Sequence, residues 1–232
     1  MCGRYDFTPG EFSDLRIRFN LGKELPEFKP SYNIAPGQYV PVIVRDEDHN
    51  KVKLMRWGLV PSWAEDPSIG NRMINARCET LAEKPSFKHL LSSRRCLIPA
   101  NGFFEWRREG KRKVPMRVTR KDREPFLFAG LWDVWRQPEG GELFTFTIIT
   151  TEANSLLRPI HNRMPVILNN LAAAQWLDPV FTTAKTLEIL SQTLPAESME
   201  AYEVSLLVND PRNDSPACIE PSSWPPSQAR LI

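Results

Sequence analysis

Apolar residues alternate with polar ones through most of the middle of this chain, the spacing of strands, and helical spacing is clearest near the C-terminal end. Residues 2–7 read as a short strand. Pro9 ends it before residues 11–19, where Phe12, Leu15, Ile17 and Phe19 predict a helix. After a loop at 21–30, the turn Tyr32-Asn33-Ile34-Ala35-Pro36-Gly37 leads into a β-branched strand at 40–44, with its partner at 51–60 across a polar turn. A Pro/Gly/Ser-rich loop covers 65–70, and a short helix is expected over 87–91. Residues 96–106, 114–119, 125–135 and 143–151 read as successive strands, rich in Phe, Val, Ile and Trp and separated at hairpin spacing. A strand at 163–168 follows the Ile160-His161-Asn162 loop. Helices at 171–177 and 183–190, a strand at 202–208 and a Pro- and Ser-rich tail from 211 complete the pattern. No internal repeat or long linker interrupts it. The expected architecture is α+β and β-dominated, a curled, barrel-like antiparallel sheet with flanking short helices, in one domain over 1–232.

At 232 residues and 41% hydrophobic, the chain is large enough to bury a substantial core. No apolar run is long enough to cross a membrane, and the N-terminus, with Arg4 and Asp6, has no signal-peptide apolar region, so a soluble cytoplasmic protein is expected. Cys2, Cys78, Cys96 and Cys218 form no CxxC pair and have no clustered histidine beside them, which predicts free thiols and no metal site. The net charge is only +2, too small for a global field directed at polyanions. Basic residues do concentrate at 93–95 and 107–113, the latter around Gly110 as the solvated face of a hairpin turn.

Candidate chemistry begins at Met1-Cys2-Gly3-Arg4. An aminopeptidase removes an initiator Met when the next side chain is small, and Cys2 would then carry a free amine and a thiol on adjacent carbons. With ordinary pKa values of about 7.7–8.0 and about 8.5, both groups keep a nucleophilic fraction near neutrality. Amine attack on an aldehyde gives an imine, and thiol closure gives a thiazolidine. Position alone fits an ordinary thiol as well. Glu105, between Phe104 and Trp106, suits a desolvated proton shuttle, although strand alternation also allows it to face water. His161 lies on a loop beside Arg163, as either a functional or a surface histidine. Asn75 has a side chain able to orient a neighbour or to form an Asx turn. Trp57, Trp63, Arg72, Arg77, Trp106, Arg107 and Arg163 mix aromatic and basic character, which suits a single-stranded nucleic-acid groove. Cys2 with His161 also permits a cysteine-peptidase reading, and the Trp/Arg set permits a non-catalytic binding module.

Taken together, the motifs resemble the SRAP family, the SOS-response-associated abasic-site processing proteins. The resemblance is carried by Cys2-Gly3-Arg4, Tyr32-Asn33-Ile34-Ala35-Pro36, Trp57-Gly58-Leu59-Val60-Pro61-Ser62-Trp63, Asn75-Ala76-Arg77-Cys78-Glu79-Thr80, Arg95-Cys96-Leu97-Ile98-Pro99, Gly102-Phe103-Phe104-Glu105-Trp106, Ala129-Gly130-Leu131-Trp132 and His161-Asn162-Arg163-Met164-Pro165. Val204 to Asn209 and Cys218 to Pro221 fit as well. It implies that Cys2, freed of Met1, traps the ring-opened abasic aldehyde in single-stranded DNA as a thiazolidine cross-link. Asn75 would hold the Cys2 end, Glu105 would move protons, and His161 would assist sugar-ring opening and strand-cleaving β-elimination. Arg4, Asn33, Arg77 and Arg163 would line the DNA groove, with Trp63 and Trp106 as its walls or wedges. No cofactor is implied. The expected partner is abasic single-stranded DNA and not a membrane, and the expected form is a monomer in a bacterial-type cytoplasm, near the nucleoid and replication. A retained Met1 would block the amine.

Overall fold

The computed structural model describes residues 2–8, 12–22, 25–47 and 49–222. Met1, the start of the expected 11–19 helix and the end of the expected tail lie outside these. In chain order come β1 (Tyr5–Phe7), α1 (Phe12–Arg18), β2 (Ser31–Ile34), β3 (Tyr39–Asp46), β4 (His49–Trp57), β5 (Asn75–Arg77) and α2 (Pro85–Lys88). The long strands follow: β6 (Arg95–Ala100), β7 (Gly102–Glu109), β8 (Arg112–Arg120), β9 (Phe126–Arg136) and β10 (Glu142–Glu152). β11 (Arg163–Pro165), α3 (Asn170–Leu177), α4 (Thr183–Leu190) and β12 (Met199–Glu203) close the fold. No described helix is long and apolar enough to cross a membrane.

β10, β4, β3, β6 and β9 pair in that order, and β9 pairs back onto β10, closing a five-stranded barrel. The expected antiparallel sheet is corrected at one seam, where β10 runs parallel to β4 at Thr145↔Arg56 and Phe146↔Trp57. The reason is parity: a closed ring with an odd number of strands cannot alternate direction all the way round. β5 is also parallel to β10, and β11 antiparallel to it. The second sheet, ordered β12-β8-β7-β1-β2, is antiparallel throughout. Gly130 lets β9 close against β6, since a Cβ there would lie 2.4 Å from Ile98 Cδ1 and 2.8 Å from Thr147 O.

Two expected strands are broken. Residues 96–106 form two strands, because the chain leaves the barrel at Asn101 and enters the second sheet. Asn101 fixes this corner: its N–H donates to Asp6 O at 2.8 Å and its Oδ1 accepts from Thr8 N at 2.7 Å. The strand expected at 202–208 ends at Glu203. There the Ser205 hydroxyl accepts from Leu207 N, and Leu206–Asn209 coils into a 3₁₀ turn.

β1 ties the two sheets together. Its Tyr5 ring packs on Trp57 with centroids 5.2 Å apart, and Trp57 stacks on Phe146 at 6.3 Å, inside the barrel. Its next residue points the other way: Asp6 is fully buried and accepts both arms of Arg117, at 2.8 and 2.7 Å. Removing one partner of a buried pair leaves the other charge uncompensated, so Asp6→Ala is expected to lower unfolding free energy by about 3–5 kcal/mol. Urea denaturation checks this, and a loss below about 1 kcal/mol would place the pair among weakly coupled surface pairs.

Candidate active site

The register of β1 on β7 determines what lies beside Cys2. Tyr5 pairs with Phe103 and Asp6 with Gly102, and Phe104 N donates to Arg4 O at 2.9 Å. Followed back toward the N-terminus, this antiparallel register brings Cys2 and Gly3 beside Glu105 and Trp106. From the barrel side, β5 is held on β10 by Ile148↔Asn75, and the Trp57 indole N–H donates to Ile74 O at 2.9 Å. Asn75 is thereby aimed at the N-terminus, where its Nδ2 donates to Cys2 O at 2.8 Å. Its Oδ1 is buried and has no hydrogen-bond partner among the described residues. The loop before β11 supplies His161, whose Nδ1 lies 4.0 Å from Glu105 Oε1. That same Nδ1 lies 3.0 Å from Arg163 N and 3.2 Å from Arg163 O, so the Arg163 backbone fixes the orientation of the ring.

Both candidate groups, Cys2 and Glu105, sit in low-dielectric surroundings. Cys2 is fully buried. Burial pushes its thiol pKa well up, and the Glu105 carboxylate adds to the effect, so the sulfur holds its proton at neutral pH. Glu105 is only 3% exposed, and burial raises its carboxyl above the ordinary range while the neighbouring His161 opposes that shift. A carboxyl with raised affinity for a proton, beside a thiol that must lose one, is the pairing that proton transfer requires. Above them opens a cavity of about 320 Å³ lined by Glu105, Trp106, Arg108, Lys113, His161 and Asn209.

The residues expected at a DNA groove divide by placement. Arg4 Nη1 donates to Asn33 Oδ1 and to Val208 O, both at 2.7 Å, and its guanidinium lies 5.9 Å from the Trp106 ring. Asn33 is fully buried, and its amide donates to Asp210 O and Asn213 O. The pair thus anchors residues 206–213 next to the cavity. The Trp106 indole N–H in turn donates to Asn209 Oδ1 at 2.7 Å. Arg77 is exposed and shares a depression of about 410 Å³ with Arg163 and Arg158. The Arg163 guanidinium is turned inward, bidentate to Glu79 at 2.6 and 2.9 Å and donating to Thr150 O. Trp63 is 58% exposed and stands apart, over a separate depression beside Arg72.

Sequence reasoning gave no role to Asn209, Arg158, Arg108 or Lys113. The last two read as a solvated hairpin face, and the β7–β8 hairpin does form, with Gly110 at φ +60°. The signal was present in the basic run itself. What it lacked was the curl of the hairpin that puts Arg108 and Lys113 on the cavity wall.

A closed barrel joined to a second sheet, with the chain's own second residue buried against a carboxylate and anchored by an asparagine, defines a narrow structural class. A family model described as SOS response associated peptidase (SRAP) matches residues 1–211. The abasic site processing protein YoqW of Bacillus subtilis (strain 168) is 50% identical over 223 residues, covering 95% of this chain and 99% of the relative. The abasic site processing protein HMCES of Gallus gallus is 37% identical over 226 residues, covering 84% of this chain and 67% of the relative. The crystal structure of a Bacteroides thetaiotaomicron protein superposes with a TM-score of 0.84 at 29% identity, covering 95% of this chain and all of that one. The chain belongs to the SRAP family.

Proposed function

We propose that this protein processes abasic sites in single-stranded DNA by linking its N-terminal cysteine covalently to them. The observation that carries the reading is the placement of Cys2 beside buried Glu105, with its carbonyl held by Asn75. Once Met1 is removed, the Cys2 amine attacks the aldehyde of the ring-opened sugar, and loss of water gives an imine. The Cys2 sulfur then adds to the imine carbon as its proton passes to the nitrogen, closing a thiazolidine. Glu105 serves as the carrier for that proton, since burial raises the affinity of its carboxyl for one. The Asn75 Oδ1, without a partner among the described residues, would accept an N–H of the freed amine.

His161 is near enough to Glu105 to share the proton traffic and to assist ring opening. From the imine, removal of a proton next to the former aldehyde carbon expels the 3′ phosphate and cleaves the strand, a lyase outcome competing with ring closure. The same Cys2, Glu105 and His161 would support removal of Met1 by the protein itself, a peptidase-like step confined to its own N-terminus. Arg77 on the rim supplies positive charge for the phosphates, and Arg163 beside it, paired with Glu79, holds the wall of that depression. Trp106 would wall the strand at the cavity, on the wall that Arg4 and Asn33 hold, and Trp63 would meet the strand away from it, over its separate depression.

Met1-free protein mixed with single-stranded DNA containing one abasic site should give an adduct that survives heat and high salt. Binding that reverses fully on raising salt would instead identify a non-covalent single-strand binder. Cleavage of an unrelated peptide, lost in His161→Ala, would mark a general cysteine peptidase.

A further inference from the structure

A concavity of about 560 Å³ opens at the other end of the barrel, within the roughly 300–1,000 Å³ usual for small-ligand sites. Lys53, Met55 and Trp57 alternate onto the inner face of β4, and Phe144 and Phe146 onto that of β10, with Trp132 the register partner of Phe146. Met55, Trp57 and Phe146 are sealed inside. Lys53, Phe144 and Trp132 end the same file where the barrel opens. Phe144 lies four residues before Ile148, the partner of Asn75, on the order of 13 Å along the strand, so this mouth is distinct from the Cys2 site.

Trp132 and Phe144 stack with centroids 6.2 Å apart. Lys53 Nζ lies 4.3 Å from the Phe144 centroid, and the Arg94 guanidinium lies 4.2 Å from that of Trp132. The rings attract both cations but neutralise neither. Among the described residues, neither Lys53 nor Arg94 has a side-chain hydrogen bond or an ion-pair partner, although Asp133 and Glu142 also line the cavity. Asp46 pairs with Lys51, and Glu142 lies 3.9 Å from Arg136. Asp133 accepts from Ser62 N and Val134 N, both at 2.8 Å, and faces His89 at 3.8 Å. Two half-buried like charges therefore converge on one aromatic floor. Burial, and after it the neighbouring Lys51, lowers the Lys53 pKa, with Asp46 and Glu142 opposing the shift and Arg94 adding to it.

We infer that this barrel mouth binds a phosphate monoester, its dianion held between the Lys53 ammonium and the Arg94 guanidinium. The guanidinium fork fits two phosphoryl oxygens and the ammonium supplies the second charge. The phosphoryl group is either free, as inorganic phosphate or a mononucleotide, or the 5′-phosphorylated end of a DNA strand.

The test follows the Trp132 indole resonance of ¹⁵N-labelled protein at low salt, assigned with Trp132→Phe. Three probes are titrated: inorganic phosphate, an undamaged oligonucleotide with a 5′-phosphate, and the same strand with a 5′-hydroxyl. A saturable shift with phosphate or the phosphorylated strand is expected, weakened at least tenfold in Lys53→Ala/Arg94→Ala. The milder Lys53→Gln/Arg94→Gln pair serves if the first does not fold. Saturation by the phosphorylated strand at lower concentration than by phosphate assigns the strand end as the source, and the reverse order assigns a free phosphate. No shift with any probe, an equal shift with the 5′-hydroxyl strand, or undiminished binding in the double variant overturns the inference.

Discussion

Met1-free Cys2→Ser protein is expected to form no heat-stable adduct with abasic single-stranded DNA, yet to be trapped on it when borohydride is present. The substitution keeps the amine, so the imine still forms and can be reduced. It replaces the thiol by a hydroxyl, a much weaker nucleophile toward the imine carbon, so the ring does not persist. Loss of a covalent nucleophile lowers catalysis by on the order of 10³-fold or more, which places the unreduced adduct at background. The test separates the two atoms of the aminothiol. If the serine protein gave as much heat-stable adduct as wild type, the sulfur would have no part in the link. With loss of Met1 verified beforehand by intact mass, a failure of reduction to trap anything would mean that the amine does not react.

Glu105→Gln is expected to slow cross-linking by about 10²- to 10⁴-fold, the usual contribution of a positioned acid or base. The glutamine fills the same space and can still hydrogen-bond, but it neither takes nor returns a proton. Its effect on stability should run the other way. Because burial raises the folded-state pKa of Glu105, the folded protein holds a proton that the unfolded chain has already lost, between the ordinary carboxyl value and the raised one. Stability contributed at this site is therefore fullest below the ordinary value and falls as pH rises through the raised one. Denaturation at pH 5 and pH 8 should show Glu105→Gln gaining stability relative to wild type at the higher pH. An unchanged cross-linking rate in this variant would remove Glu105 from the proton path.

Much of the fold was legible because its longest strands are also its most regular. The alternation over 125–135 and 143–151 matches Phe126–Arg136 and Glu142–Glu152 within a residue, since each has one face turned into the barrel. Periodicity was blind where the signal is a single polar contact. Asn101 turns one apparent strand into two, and the Ser205 hydroxyl ends another early, with neither breaking the apolar pattern. The parallel seam between β10 and β4 was hidden for a different reason, since strand direction within a closed ring depends on how many strands close it. At the site, residue types suggested Cys2, Asn75, Glu105 and His161 as candidates, but their neighbourhood is a matter of long-range register. Tyr5↔Phe103, Ile148↔Asn75 and Glu152↔Arg163 together bring residues from positions 2, 75, 105 and 161 to one place. Arg163 shows the converse, with a guanidinium that reads as a phosphate ligand in sequence and is bidentate to Glu79 in the fold.

The central claim is that the reactive group is the whole N-terminal aminothiol. Intact-mass measurement of the protein before and after incubation with a single-stranded oligonucleotide carrying one abasic site tests it most directly. Before incubation the protein should be lighter than the full chain by one methionine residue. Afterwards its mass should rise by that of the oligonucleotide less one water, since imine formation expels water and thiol closure expels nothing. Met1-free protein that stays unmodified, or Met1-bearing protein that forms the same adduct, would contradict it.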